Sequence, residues 1–303
     1  MTHEIRTPVN CPLCGSTTTL PLSCPFPGVF RCACHFIFAM STLDSSTPEL
    51  YDEEWARSEL APTFGWSQGR FVIRNEWKLT SILDRLERFR QHNRLLDVGC
   101  SAAFFLKVAK DRGWDVRGVE VSAFGVRFSR ETLGLDVFQG TLHEASFPSG
   151  SFDVVFSSHV LEHIGNPRDV VREMRRILRS GGALVSIVPT QFSTPSFRLL
   201  GQMTGEGPPR HVSFFSRATF DRLITGEGFT VVYSRQNVEL QTFVAAVRGL
   251  RSRSLVAVPG VESQATSMAS KPAVVVRAIK ACVNWLGTVS GLGDELFTIA
   301  VKW

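Results

Sequence analysis

Between about residues 74 and 235 the apolar positions follow two alternating patterns. Short apolar runs at 95–98, 116–120, 137–138, 152–157 and 183–188 predict buried strands. Between them the spacing becomes helical. Trp77, Leu79, Ile82, Leu83, Leu86 and Phe89 share one face of a helix predicted over 74–89. A second helix is expected over about 123–133, stopped by Gly134, and a third over 167–179, ended by Gly181-Gly182. Another helix begins at Ser216, and a sixth strand covers 230–234. Strands that alternate with helices make a doubly wound, mostly parallel α/β sheet the economical architecture.

The first strand carries candidate chemistry at its end. Leu95-Leu96-Asp97-Val98-Gly99-Cys100-Ser101 reads as a strand running into a tight turn and then a helix. The free N–H groups of that helix start, and the missing Cβ of Gly99, suit a ligand held close to the backbone. The second strand closes on Glu120, where a carboxylate bridges a pair of ribose hydroxyls. Ser101 and Ala103 stand where a dinucleotide fingerprint would have glycine, which favours a nucleoside cofactor without a pyrophosphate. At the end of the fourth strand, Ser158-His159-Val160-Leu161-Glu162-His163-Ile164 places polar groups at the carboxyl edge of the sheet.

The N-terminal region has a different chemistry. Five of the seven cysteines, Cys11, Cys14, Cys24, Cys32 and Cys34, lie before residue 35 in a chain of 303 residues, too long for a secreted disulfide scaffold. Cys11-Pro12-Leu13-Cys14-Gly15 forms a metal knuckle, and Cys32 and Cys34 supply a second pair within a hairpin over 30–38. That second pair is irregular, with one residue between the cysteines and His35 after them, so Cys24 or His35 remains an alternative ligand. The expected ion is a structural Zn2+.

Charge and length add two points. The net charge of +5 is matched by an excess of five within 234–290, where seven basic residues face two acids. A helix predicted over 272–290 is apolar around most of its circumference, so docking on its own domain, a homodimer contact and a peripheral membrane contact are all open readings. No signal peptide or long apolar run is visible, so a cytoplasmic location, peripheral at the inner face of a membrane if the insert binds one, is expected.

Taken in order, these motifs resemble the class I S-adenosylmethionine-dependent methyltransferases. The resemblance rests on Leu96-Asp97-Val98-Gly99-Cys100, Gly118-Val119-Glu120-Val121-Ser122, Phe152-Asp153-Val154-Val155, His159-Val160-Leu161-Glu162-His163-Ile164 with Pro167, and Arg176-Ile177-Leu178-Arg179-Ser180-Gly181-Gly182. The stretch 293–302 is similar to the last strand of that fold. The resemblance implies a Rossmann-like sheet of seven strands and S-adenosyl-L-methionine as cofactor. It places Asp97, Gly99, Cys100 and Ser101 against the amino acid end of the cofactor, and Glu120 with Val121 at the ribose. Thr141 and Leu142 would lie beside the adenine, and Ser158 and His159 at the sulfonium.

The expected layout is a cysteine-rich zinc-ribbon-like element at 1–40, a linker and cap helices at 41–90, and a methyltransferase domain at 91–303 with a helical insert at about 236–292. His211, in Pro208-Pro209-Arg210-His211-Val212-Ser213, is the foremost candidate general base, with His159 and His163 beside it. His163 reads better as a hydrogen-bonding residue at a helix start. The family's Asn-Pro-Pro-Tyr motif for amine and amide targets is absent after the fourth strand. The resemblance, through relatives with a similar cysteine-rich start and Leu-Glu-His-Ile core, implies a small molecule, sugar or glycan precursor as the acceptor. A ribosomal RNA methyltransferase is one alternative, although Arg6 and Arg31 are the only basic charges through residue 38 and make a nucleic acid partner a poor fit. A non-catalytic cofactor-binding regulator is the other.

Overall fold

The computed structural model describes residues 9–40, 53–54, 64–67, 70–73, 76–194, 197, 206–237 and 293–303. Most of the helical insert, and with it the expected dimer or membrane contact, lies outside these residues. Among the described residues no helix is long and apolar enough to cross a membrane.

Strands β1 (Thr19–Pro21), β2 (Val29–Cys32) and β3 (Ile37–Ala39) form an N-terminal antiparallel sheet, and β4 (Phe64–Ser67) pairs with β5 (Arg70–Ile73). That second hairpin occupies part of the stretch expected to hold cap helices. Helix α1 (Glu76–Leu86) follows and tightens into a short 3₁₀ turn at Glu87–Phe89. Its buried face is carried by Leu83 and Leu86, whereas Trp77, expected on that face, is 66% exposed.

The main sheet then builds in order. β6 (Arg94–Val98), α2 (Phe104–Asp111), β7 (Asp115–Glu120), α3 (Ala123–Glu131), β8 (Val137–Gln139), β9 (Phe152–Ser158), α4 (Pro167–Ile177) and β10 (Leu178–Pro189) alternate as the apolar pattern predicts. They are followed by β11 (Ser213–Phe214), α5 (Arg217–Gly226), β12 (Thr230–Asn237) and β13 (Glu295–Val301). The seven main strands lie in the order β12-β13-β10-β9-β6-β7-β8. All pairs from β8 to β10 are parallel, and β13 runs antiparallel between β10 and β12. This is the expected seven-stranded, mostly parallel sheet.

Each face of the sheet has its own core, because parallel strands are buried on both sides. On one face, Leu95, Val154 and Val185 pack with Leu83 of α1, Leu106 of α2 and Val126 of α3. On the other, Leu96, Val155 and Leu184 pack with Met174 of α4 and Leu223 of α5. The N-terminal hairpin belongs to this second core. Phe36 is fully buried against Phe215, with ring centroids 5.5 Å apart. Its main chain is joined to the larger unit as well, since β11 pairs with β3 through Ser213↔Phe38 and Phe214↔Ile37.

One boundary differs from the sequence pattern. The third predicted helix ends at Ile177 rather than Arg179, and Gly181-Gly182 fall within β10, at an irregularity in its pairing with β9. The C-terminal segment of the chain decides this. The Gly181 N–H donates to the Lys302 carbonyl at 2.6 Å, and the Lys302 ammonium donates to the Leu178 carbonyl at 2.6 Å.

Asp153 anchors the amino end of the sheet. It is fully buried, accepts N–H groups from His92 (2.8 Å) and Arg94 (3.1 Å), and pairs with the Arg179 guanidinium. Burial raises its carboxyl, but Arg179 and the two amides outweigh that and hold it below the ordinary carboxylate range. A carboxyl depressed in the folded state stabilises fully above its unfolded value and loses that contribution as pH falls through its folded value. Asp153→Ala is therefore expected to cost about 3 kcal/mol at neutral pH, measured by urea unfolding. The wild type should lose this margin as pH falls below about 4, near the unfolded carboxylate value, and the variant should not.

Candidate active site

The turn after β6 is held in an unusual backbone conformation. Gly99, Ser101 and Ala103 all have positive φ, at 70°, 51° and 57°. Left-handed backbone costs a non-glycine residue about 1–2 kcal/mol, so two of these positions carry strain. Compensating contacts are visible at Ser101, whose N–H donates to Glu120 Oε2 at 2.7 Å and whose carbonyl accepts from Ser129 Oγ at 3.3 Å. Gly125 leaves room for that carbonyl, since a Cβ there would stand 2.8 Å from it. At Gly99 the requirement is steric too: a Cβ would collide with the Val160 side chain.

Glu120 closes β7 and joins two turns. Its second oxygen accepts the N–H of Ser122 at 2.8 Å, and Ser122 in turn caps α3 by accepting from the Gly125 N–H. Asp97 lies on the same face of the sheet, because it registers with Gly118, two residues before Glu120. Both carboxylates are buried, at 3% and 7% exposure. Burial and the neighbouring Glu120 charge push Asp97 well above the ordinary range. Burial also raises Glu120, against the Ser122 and Ser101 amides. Among the described residues no hydrogen bond to the Asp97 side chain is found, so this buried carboxyl keeps its acceptor capacity.

On the far side of Val160 is a cluster of imidazoles and carboxylates. The turn after β9 carries His159, with φ of 55°, then Glu162 and His163. His159 is half exposed and reaches Glu162 Oε1 through Nδ1 at 3.2 Å and Glu295 Oε2 through Nε2 at 3.5 Å. Burial lowers its affinity for a proton, but the two acids outweigh this and push it up to about 10. His211 arrives from the segment before β11. Its ring meets that of His163 edge-on at 4.8 Å, its Nδ1 lies 3.2 Å from the Gln191 amide, and burial brings it down to about 4.

The comparisons with known proteins bear on this arrangement. The sequence profile of a family described as a methyltransferase domain matches residues 73–234, more than half of the chain. The chain belongs to this methyltransferase family. A malonyl-[acyl-carrier protein] O-methyltransferase of Enterobacter lignolyticus (strain SCF1) is 25% identical over 198 residues, covering 64% of this chain and 78% of that protein. A sarcosine/dimethylglycine N-methyltransferase of Aphanothece halophytica is 31% identical over 121 residues, 37% of this chain and 44% of the relative. Among solved structures, the [4+2]-cyclase SpnF aligns with a TM-score of 0.55 at 18% identity, covering 88% of this chain and 98% of that one. Phosphoethanolamine N-methyltransferase 2 of Haemonchus contortus, in complex with S-adenosyl-L-methionine, aligns with a TM-score of 0.54 at 17% identity, covering 88% and 61%. At these identities the two structures speak for the fold alone.

Within the methyltransferase, the predicted cofactor residues fall at the carboxyl ends of four neighbouring strands, β9, β6, β7 and β8. Cys100 is buried behind the first turn, against the face of Gly118. Thr141 opens a turn in which its N–H and hydroxyl both donate to Glu144 Oε2, at 2.7 and 2.8 Å, and Leu142 beside it is buried. Ser158, half-buried, ends β9. Among the candidate bases, His163 does not start a helix of any length. It sits in a 3₁₀ turn with its Nδ1 3.0 Å from the Arg210 carbonyl.

Four cysteines converge at the other end of this core. The thiols of Cys11, Cys14, Cys32 and Cys34 all lie within 4.8 Å of one another, with Cys11–Cys34 at 3.7 Å and Cys14–Cys32 at 3.5 Å. Tetrahedral thiolates around zinc stand about 3.8 Å apart, from the usual Zn–S length. His35 has φ of 69°, the conformation that Gly15 adopts at 74° after the first pair, so it fills the glycine place of the second knuckle and is exposed. Neither His35 nor Cys24 joins the group, and the Cys24 thiol bonds the Phe26 carbonyl instead.

Residues that sequence reasoning did not single out complete the site. Ser129 and Gly125 hold the Ser101 carbonyl, and Glu162, Gln191, Glu206 and Glu295 surround the histidines. Glu162 and Glu295 both stood in recognised stretches, but 133 positions apart, so nothing local showed that they meet at His159. Gly99→Ala should lower stability by about 2 kcal/mol, combining left-handed strain with the Val160 collision, and weaken cofactor binding in calorimetry. Ala103→Gly should leave stability within about 1 kcal/mol of the wild type in urea unfolding, because relief of left-handed strain is offset by the loss of a methyl group buried in the core.

Proposed function

We propose that the protein transfers a methyl group from S-adenosylmethionine to an oxygen or nitrogen of a small molecule, sugar or glycan precursor. One observation carries the reading: Asp97 and Glu120 are buried together on one face of the sheet, beside a turn where Gly99 has no room for a side chain. Two buried acids on one face, one of them with no side-chain hydrogen bond among the described residues, fit a cationic nucleoside that bears an ammonium group and ribose hydroxyls. In this reading Asp97, Gly99, Cys100 and Ser101 hold the amino acid end. Glu120 and Val121 hold the ribose, Thr141 and Leu142 flank the base, and Ser158 and His159 border the sulfonium. Glu120 retains lone pairs for hydroxyls while it accepts the two amides.

When bound, the cofactor supplies a methyl group on a good leaving group. The chain's own task is then to position an acceptor in line and exclude water. His211 and His159 stand on the acceptor side, within one cluster with Glu162 and His163, where a proton leaving the acceptor can be received or the acceptor held. Relatives that methylate oxygen and relatives that methylate nitrogen both match this chain, by their names, so the acceptor atom is assigned to a class only.

The same proposal includes a structural Zn2+ on Cys11, Cys14, Cys32 and Cys34, and the division into a 1–40 ribbon, a 41–90 connector and a 91–303 catalytic domain. The thiol spacing supports the zinc. The ion would clamp the hairpin that β11 extends, and β11 follows His211 by two residues. Calorimetry should detect S-adenosylmethionine binding, with Glu120→Gln weaker by at least about tenfold, the worth of a charge-assisted bond or two. Methyl-labelled cofactor incubated with fractionated extract should label the small-molecule or glycan pool. Label confined to RNA would overturn the acceptor class. Purified protein should contain one zinc, absent from Cys14→Ser, and equal, negligible zinc in both would end the ribbon assignment.

A further inference from the structure

The group formed by Glu162, His163 and His211 contains more than a proton acceptor requires. Each offers one ligand atom, and these atoms lie within 4.8 Å of one another. Glu162 is 1% exposed, yet neither of its carboxylate oxygens makes a hydrogen bond of good geometry, and His159 Nδ1, at 3.2 Å, is an ion-pair contact only. A carboxylate removed from water with one ion-pair contact and no hydrogen bond of good geometry keeps acceptor capacity that a further cation would meet. Two imidazoles and a carboxylate are the donor set that first-row divalent metals favour when open positions are left for other ligands.

The surroundings fit the same reading. Metal-binding imidazoles are oriented through their second nitrogen. Here the His163 ring is held at Nδ1 by the Arg210 carbonyl, and His211 Nδ1 lies beside a Gln191 amide that is itself fixed on the Glu206 carbonyl at 2.8 Å. The backbone locks the two halves together. The Val212 N–H donates to the Glu162 carbonyl at 2.8 Å, and Ser213 Oγ donates to the Ile164 carbonyl at 2.8 Å. Glu206 Oε2, 3.8 Å from His211 Nε2, and half-exposed His159 stand at the rim, where further ligands would enter.

We infer that Glu162, His163 and His211 bind one divalent first-row transition-metal ion, whose open positions take oxygen donors of the methyl acceptor. This deepens the methyl-transfer reading and rests on it for the identity of the acceptor. The position supports the role. Val160, against which Gly99 packs, is two residues from Glu162, and Glu120 feels the charge of His163, so the metal would stand next to the cofactor residues.

The test uses the full chain, stripped with chelator and reloaded with one equivalent of zinc for the cysteines. Mn2+ is then titrated, followed by electron paramagnetic resonance, and Co2+ by its visible bands. Thiolate-to-cobalt charge transfer would mark the cysteine site, and its absence the imidazole–carboxylate site. The expected result is one Mn2+ per chain, with affinity lowered at least about tenfold in Glu162→Gln and His211→Gln, and unchanged in the exposed control His143→Ala. S-adenosylmethionine affinity and circular dichroism, measured on the same samples, separate the possible failures. Folded protein that binds the cofactor but takes up no Mn2+ or Co2+ beyond the cysteines overturns the metal site and leaves methyl transfer standing. Equal Mn2+ affinity in wild type and Glu162→Gln overturns it too. Metal binding without cofactor binding would sink the reading beneath it.

Discussion

The grip of one buried carboxylate on two turns organises the site. Glu120 ends β7 and accepts backbone N–H groups from Ser101, in the turn after β6, and from Ser122, at the start of α3. A carboxylate that accepts two amides fixes its own rotamer and both loops at once, because charge-assisted bonds in a dry setting are strong. Without it the left-handed conformations at Ser101 and Ala103 would have little to hold them. Strain of this kind persists only where surrounding contacts over-determine it. The turns beside Asp97 and Glu120 are therefore fixed by the chain's own bonds.

A second dependence runs from the amino terminus. The hairpin of β1 to β3 is no free appendage, since one of its faces shares a core with the main sheet and its edge strand pairs with β11. His211 lies two residues before β11, and the Val212 N–H reaches Glu162. Chain segments far apart in sequence thus meet through one short antiparallel pairing, and the Cys11–Cys34 group stands at its other end. Arg222 adds a cross-link by donating to the Cys34 carbonyl at 2.8 Å. The cysteine cluster consequently supports the geometry of the histidine cluster, although no atom is shared.

The three histidines show how one residue type takes several characters in a small volume. His159 stands half in water between two acids and is held charged, whereas His211 is buried and held neutral. His163, between them in space, is oriented by a main-chain carbonyl. These differences follow from exposure and neighbours, and composition carries neither.

The sequence by itself determined the alternation of strands and helices, the two acids at the ends of the first strands, and the Cys11-x-x-Cys14 pair. These are local patterns, written by the period of apolar residues and by turn chemistry within a few positions. It left open which of Cys24, Cys32, Cys34 and His35 join that pair, and it misjudged the end of α4 and the burial of Trp77. The first needed the left-handed backbone at His35, the second the bonds between the Gly181 region and Lys302. Only the tertiary structure decided that Glu295, Gln191 and Glu206 join the histidines, and that β11 ties the hairpin to them. Such contacts join residues scores of positions apart, and no local periodicity records them, because side chains meet there through the sheet order and the crossing of loops at its edge.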